Sequence, residues 1–420
     1  MKQIRRLFLA LLLVFSLNAN SCTVFSWAMK GEVFAAANED DYTPFTRIWF
    51  NPATAERFGS VCFGAPDLQI AAAMNEYGLF YDYTAQYGVD LAKIALKNPY
   101  QGDLFFEIIG KCKTVAEALE MLKTHDYSFT SQVLLADATG NSVIINPGNI
   151  TPKTGNFQIS TNFNICDLKT GYKCDRYDTA DRILSNAKVA SVKTIESVLN
   201  FTHQEGNLST QYSAIYDLKR LKIKVFLFHN FEEAFEIDLK SELSKGYRLE
   251  LLSRYFSPTF AYTDYVSNHE LFKKETLLSE IEKVGYENAK EHYLSVARNS
   301  QDPKEKTAIL DIAIQLIRDA NNEHSNGKVW AYWFGFPDGF NPKKYSDKRL
   351  DMAKTLLLEL SKSESDAKTR HFEFEMIAYL NWLRDEMKNA AIFYRKAIEN
   401  PADSYPVSYN RSVKMLANLE

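Results

Sequence analysis

Beyond its N-terminal segment this sequence has no apolar run approaching the roughly 18 residues that a membrane-spanning helix needs. That absence excludes a transmembrane span from the rest of the chain. Charge of one sign is also missing. The formal net charge over 420 residues is −4, which gives no electrostatic reason to expect nucleic acid or an acidic membrane surface as partner. There is no CxxC pair, and the seven histidines are scattered, so no metal site or other cofactor is called for. Cysteines number only five, Cys22, Cys62, Cys112, Cys166 and Cys174. The short loop between Cys166 and Cys174 makes them the expected disulfide in an oxidising compartment, and the odd count leaves a thiol free.

The N-terminus carries the most information. Lys2, Arg5 and Arg6 precede an apolar stretch over residues 7–17, and Ala19-Asn20-Ser21 is a small-x-small cleavage site, the pattern of a secretory signal over residues 1–21. The reading is an exported chain, periplasmic or secreted, with a Gram-negative periplasm as the first choice. Cleavage after Ser21 makes Cys22 the first mature residue. A cysteine at a free N-terminus holds a nucleophile and a base in one residue. The alternative is a lipoprotein acylated at Cys22, which Ala19 disfavours, because a lipobox normally has leucine there.

At 420 residues, a prior of about 150 per domain suggests two or three domains. The 23 tyrosines and 28 phenylalanines suit packed globules rather than disorder. Composition shifts near residue 245. Before it, residues 22–27, 32–37 and 46–50 read as strands. Segments 131–136 and 142–145 read as a hairpin around Asp137-Ala138-Thr139-Gly140-Asn141, and 222–228 with 234–239 as a second hairpin. Helical periodicity marks 114–124, 177–187 and 193–202. Strands at both ends with helices between them favour a layered α+β domain over 22–245. Residues 246–420 read as all-helical, with segments 307–320 and 350–360. An antiparallel pair, 372–384 and 387–399, is joined by Arg384-Asp385-Glu386. Ala390-Ala391-Ile392-Phe393-Tyr394-Arg395-Lys396-Ala397-Ile398 looks like part of a tetratricopeptide unit. A single such unit leaves a plain helical bundle equally open, because stacked repeats normally need about three.

Chemistry-bearing phrases all fall in 22–245. In order they are Cys22-Thr23-Val24-Phe25, Ala36-Ala37-Asn38-Glu39-Asp40-Asp41, Met74-Asn75-Glu76-Tyr77-Gly78-Leu79, Leu134-Leu135-Ala136-Asp137, Ser160-Thr161-Asn162-Phe163, Cys174-Asp175-Arg176-Tyr177 and Gln211-Tyr212-Ser213-Ala214. This series behind a cleavable signal resembles the choloylglycine hydrolase and penicillin V acylase-like group of N-terminal nucleophile hydrolases, with its isopenicillin N acyltransferase-like relatives. The resemblance covers roughly residues 22–240. It implies a four-layer αββα sandwich followed here by an all-helical C-terminal region, activation by cleavage before Cys22, and hydrolysis of a linear carbon–nitrogen amide bond in a small-molecule N-acyl substrate. It assigns Cys22 as nucleophile, Asp40 as the carboxylate that orients its α-amine, Asn162 as an oxyanion-hole donor and Arg176 as their supporting cation. Asn75 lies in a matching phrase without an assigned role. Phe80, Tyr81 and Tyr83, just beyond it, are the candidate lining of an acyl pocket. The sequence departs from the pattern twice. Many relatives have Arg-Asn-x-Asp where this chain has Ala37-Asn38-Glu39-Asp40, and often an asparagine where it has Ala214. Both departures put bile-salt or penicillin specificity in doubt.

The α-amine titrates near ~7.7 to 8 and a thiol near ~8.5, so proton transfer between them is nearly balanced and no histidine is required. Other readings are weaker. His203 and His229 offer a papain-like partner, but no cysteine opens a helix, and no Ser-x-x-Lys stands at a plausible place. Asp40 could be a turn residue with Glu39 and Asp41 as solvated neighbours. Asn162 could cap a turn and Arg176 could pair at the surface. A catalytically silent scaffold of the same fold, binding a protein partner through its helical region, is the competing function class. Oligomeric state and the identity of the acyl and amine groups are not encoded in any motif here.

Overall fold

The computed structural model describes residues 22–420 apart from 87–88, 101, 171–173, 326–331, 333–342 and 365. The expected signal segment lies outside the described residues. Two compact units follow, one ending at Val266 and the other beginning at Ser267. Among the described residues no helix is long and apolar enough to cross a membrane.

The first unit is mixed α/β with two antiparallel sheets. One has the order β10-β1-β2-β11-β12-β13, with β1 Thr23–Met29, β2 Glu32–Asp41, β10 Phe157–Ser160, β11 Ser209–Asp217, β12 Lys222–Leu227 and β13 Phe235–Asp238. The other has the order β14-β3-β4-β5-β6-β7-β8-β9, with β3 Arg47–Asn51, β4 Ser60–Gly64, β5 Ile70–Asn75, β6 Phe80–Thr84, β7 Gln132–Ala136, β8 Ser142–Asn146, β9 Asn149–Pro152 and β14 Arg248–Leu251. Strand pairing thus continues past residue 245, where the composition shifts, because β14 pairs with β3.

Alternation along each strand sends successive side chains to opposite faces. From β1 and β2, Val24, Ala35 and Ala37 join Phe63, Met74, Phe80, Ala214 and Tyr216 in one buried cluster between the sheets. Their neighbours Phe25, Trp27, Phe34 and Ala36 face the other way and pack with Ala180, Leu184, Ile195, Val198 and Leu199 of helices Asp175–Asn186 and Val192–Thr202. Helix Leu104–Lys111 packs against β5 and β6. The β1–β2 hairpin closes through Lys30 and Gly31 with φ of 53° and 88°, the doubly positive pair that a two-residue turn of matching twist requires.

The second unit is helical. Helices Pro303–His324, Lys348–Leu360, Ala367–Leu383, Met387–Ala397 and Pro406–Ala417 bury one apolar cluster that includes Ile309, Ile312, Leu316, Leu356, Met376, Leu380 and Tyr394. The expected short connection holds: Ala367–Leu383 and Met387–Ala397 pack together, and Asp385 turns the chain at φ 64°. Three of these helix starts carry their own caps, since Asp302, Asp347 and Asp366 each accept a hydrogen bond from a backbone N–H of the first turn.

Candidate active site

Cys22 stands at the entrance to β1, and the β1–β2 hairpin returns the chain alongside it, with Thr23 opposite Asn38. Glu39 and Asp40 therefore flank the same point but leave the sheet on opposite sides. Glu39 enters the layer between the sheets. Asp40 shares a face with Asn38, whose Nδ2 donates to the Leu199 carbonyl and to Thr202 Oγ1 of helix Val192–Thr202. Both carboxyls are buried, at 4% and 1% exposure, so neither is the solvated turn residue that an acidic loop would give.

On the helix side, Asp40 accepts hydrogen bonds from Gln204 Nε2 and Thr210 Oγ1. Arg176, in the first turn of helix Asp175–Asn186, places Nη1 3.7 Å from Asp40 Oδ2. The same Nη1 donates to the Cys22 carbonyl at 3.1 Å and to Thr23 Oγ1 at 3.2 Å, while Nη2 donates to Asn162 Oδ1 at 2.7 Å. One guanidinium thus touches the main chain of Cys22, the Asp40 carboxylate and the Asn162 amide. Asn162 Nδ2 donates to the Ala85 carbonyl at 3.1 Å. Burial pushes the Asp40 carboxyl up to about 7, against the lowering pull of Thr210, Gln204 and Arg176.

On the inter-sheet side, the fully buried Cys22 thiol donates from Sγ to Glu39 Oε2 at 3.4 Å. Desolvation, and then the charges of Glu39, Asp40 and Asp82, raise the thiol well above its ordinary range, with the Asp40 backbone N–H opposing. Asp82 reaches this cluster from β6 in the facing sheet. It is fully buried, and desolvation followed by Glu39 drives its carboxyl well up. Glu39 is raised chiefly by burial. A β-bulge between Thr210 and Tyr212 shapes both sides: Thr210 opposes Asp40, and Tyr212 opposes Glu39. The extra residue, Gln211, re-aims the strand so that each carboxyl meets its own neighbour.

The other sequence candidates sit differently. Asn75 Nδ2 donates to the carbonyls of Ile109 and Cys112, both at 2.8 Å, and Oδ1 accepts from the N–H groups of Tyr77 and Leu79. Its phrase is a turn: Gly78 has φ 78°, and a Cβ there would lie 2.1 Å from the Leu218 carbonyl oxygen. Phe80 lies in the inter-sheet core, 4.5 Å centroid to centroid from Tyr216. Tyr81 and Tyr83 contact Phe105 of helix Leu104–Lys111, and Tyr83 Oη donates to Asp103 at 3.1 Å. Period-two alternation thus puts Asp82, between the two tyrosines, beside Cys22. Asp82 and Glu39 are the site residues that sequence reasoning missed. For Asp82 the signal available was a carboxylate between two aromatics, Tyr81 and Tyr83, on a strand.

All five cysteines are free, and the expected Cys166–Cys174 bridge is absent. Each sulfur has its own partner instead, Asn149 Nδ2 for Cys166 and Thr161 Oγ1 for Cys174. His203 and His229 stack on each other at 4.9 Å, and neither bonds to Cys22.

The chain has solved structural neighbours. It is similar to penicillin V acylase from Agrobacterium tumefaciens, with 19% identity over 54% of this chain and 90% of that one, at a TM-score of 0.41. A cysteine-to-alanine mutant of conjugated bile acid hydrolase from Clostridium perfringens aligns at 15% identity, over 57% of this chain and 97% of that one, with TM-score 0.45. An arginine-to-leucine variant of the same hydrolase gives 16%, 57%, 99% and 0.46. No protein-family model and no curated protein sequence matches the chain.

Proposed function

We propose that this chain is an exported cysteine hydrolase of the N-terminal nucleophile type, cleaving a linear amide carbon–nitrogen bond of an N-acyl substrate, with the first unit as its αββα catalytic sandwich. The observation that carries this reading is the single guanidinium of Arg176 bonded to the Cys22 main chain and Asn162 and paired with Asp40. Four residues separated by up to 154 positions converge on one point, and they are the types that the chemistry requires.

In the reaction, cleavage before Cys22 frees its α-amine, which Asp40 orients from the helix side of the sheet. The α-amine takes the proton of the Cys22 thiol as sulfur attacks the amide carbonyl; the C–S bond forms and the C=O π pair moves onto oxygen as the oxyanion. Asn162 Nδ2, exchanging its Ala85 partner for the developing oxyanion, supplies a donor of a kind worth about 3 to 4 kcal/mol. The ammonium of Cys22 then protonates the departing amine as the C–N bond breaks. Water clears the thioester and restores the thiol. Arg176 keeps Asp40 and Asn162 in place.

A second reading, a catalytically silent scaffold of this fold, draws on one observation: the Cys22 thiol is fully buried and held in its protonated form. One experiment separates the two. The exported protein is analysed by intact mass and N-terminal sequencing, treated with a thiol-directed electrophile, and assayed on conjugated bile salts, phenoxyacetyl amides and long-chain acyl amino acids. The hydrolase reading expects a chain beginning at an unblocked Cys22, labelling at that residue, and turnover of at least one amide class. A different N-terminus, or a fatty chain on Cys22, sinks it.

A further inference from the structure

Between the sheets, beside the Cys22 sulfur, lies a set of buried polar atoms that the reaction just described does not use. Glu39 Oε2 accepts the thiol, but Glu39 Oε1 and both carboxyl oxygens of Asp82 find no partner beyond each other's acidic group. Two phenols join them. Tyr212, the cross-strand partner of Glu39, and Tyr216 are buried, and neither hydroxyl has a partner. Tyr212 stands opposite Glu39 across the β2–β11 pair, and Tyr216 lies four residues further along β11; the charges of Glu39 and Asp82 raise both phenols after burial does. No lysine or arginine forms an ion pair with Glu39 or Asp82 among the described residues.

This combination is a poor device for stability. A buried polar group without a partner destabilises the fold, more so when charged, and apolar residues of similar volume fill such a position at least as well. As a recognition surface it is coherent. The carboxyl pair supplies acceptor oxygens with no cationic side chain paired to it among the described residues, and the phenol hydroxyls can accept or donate beside it. The aromatic faces of Tyr212, stacked 5.3 Å from Phe63, and of Tyr216, 4.5 Å from Phe80, suit the alkyl portion of an organic cation. Val24, Ala37 and Ala214, paired directly across three strands, separate the Tyr212 and Tyr216 rows with small apolar side chains only.

We propose that Glu39, Asp82, Tyr212 and Tyr216 form a recognition site for a cationic nitrogen, so that the preferred amides carry a primary ammonium or guanidinium group close to the scissile bond. The proposal rests on the amide-hydrolase reading for its substrate, and its ligand chemistry is testable without turnover. Processed protein is treated with methanethiosulfonates of similar size bearing an aminoethyl, a methyl or a sulfonatoethyl group. Labelling of the Cys22 peptide is followed by mass spectrometry, and each rate is divided by that for free cysteine.

The aminoethyl reagent is expected to exceed the methyl reagent by about tenfold or more after that normalisation, the size of one hydrogen bond to a charged group. Glu39→Gln and Asp82→Asn should each bring the ratio to within about twofold of unity. Tyr212→Phe, which keeps the ring, should reduce it in part and guards against a carboxyl variant that fails to fold. A flat ratio in the unmodified protein, the result if these groups hold only water, overturns the proposal. So does a ratio that survives in the folded variants. In parallel, N-acyl amides with cationic, neutral and anionic amine portions are assayed. Turnover without preference for the cation overturns the substrate assignment and leaves the hydrolase reading standing. Absence of any turnover, beside a selective labelling ratio, sinks the hydrolase reading and keeps the cation site.

Discussion

Arg176 holds Asn162 through a 2.7 Å hydrogen bond from Nη2 to Oδ1, and does so with the same group that touches the Cys22 carbonyl. The planar fork lets one side chain serve both directions at once, which a lysine ammonium on its flexible stem does not reproduce. Arg176→Ala should lower kcat/KM on a cleaved amide by about a hundredfold or more, the scale of a lost oxyanion donor. Arg176→Lys should keep a positive charge near Asp40 yet recover little of the rate. Steady-state kinetics on the processed protein checks both.

Asp40 gives a pH signature. Its folded-state carboxyl is pushed up to about 7 by burial, against about 3.9 in an unfolded chain. The folded form therefore binds the proton more tightly. The stability this provides is fully present below about 4 and is lost as pH rises through about 7. Denaturant unfolding of wild type and Asp40→Asn should show the wild type losing stability relative to the variant across that window. Activity runs oppositely, because only the ionised carboxylate orients an ammonium. Turnover should climb as pH passes about 7, and the variant should lose most of it.

Glu39→Gln should make the Cys22 thiol more reactive toward a small neutral electrophile such as iodoacetamide. Burial raises this thiol first, and the Glu39 charge adds to that. Removing the charge lowers the thiol's pKa and enlarges its thiolate fraction several-fold at fixed neutral pH, since a thiol whose pKa falls by one gains about tenfold in thiolate. Alkylation rates at the Cys22 peptide are the measurement, and a slower variant contradicts the electrostatics.

Asn75→Ala should act on stability. Its amide satisfies the carbonyls of Ile109 and Cys112 and the N–H groups of Tyr77 and Leu79, and leaving buried groups unpaired costs about 1 to 3 kcal/mol each. A lowered denaturation midpoint with unchanged substrate selectivity is expected.

In the helical unit, Glu375 is fully buried and accepts Arg411 Nε at 2.7 Å, Arg411 Nη2 at 3.0 Å and the Tyr332 hydroxyl at 2.8 Å. Arg411→Ala leaves a buried carboxylate without its cation, a loss of about 3 to 5 kcal/mol. Chemical denaturation followed by far-UV circular dichroism reads it.

Strand and helix positions were largely legible because alternation and 3.6-residue periodicity are local signals. The hairpin of β7 and β8, the pair of β12 and β13, and helices Asp175–Asn186 and Val192–Thr202 fall where the pattern of residues puts them. Extent was less legible. β2 runs on to Asp41, because Glu39 and Asp40 are covered from both sides by segments distant in sequence, and no local rule reports that. The same limit hid Asp82. Tyr81 and Tyr83 drew attention as large aromatics, while the face each occupies depends on the register of β6 between β5 and β7. Cys166 and Cys174 are near in sequence, yet proximity along the chain does not set the Cβ geometry that a disulfide demands.

Glu39 and Asp40 are consecutive, and one belongs to each side of the sheet. Inserting a single residue between the Lys30–Gly31 turn and β2 would move every residue of the strand one place along and onto the opposite face. Glu39 would then take the place of Asp40 before the guanidinium of Arg176, and Asn38 would take the place of Glu39 beside the sulfur of Cys22. A two-residue hairpin at one end of the molecule thereby decides which carboxylate serves the amine and which greets the thiol.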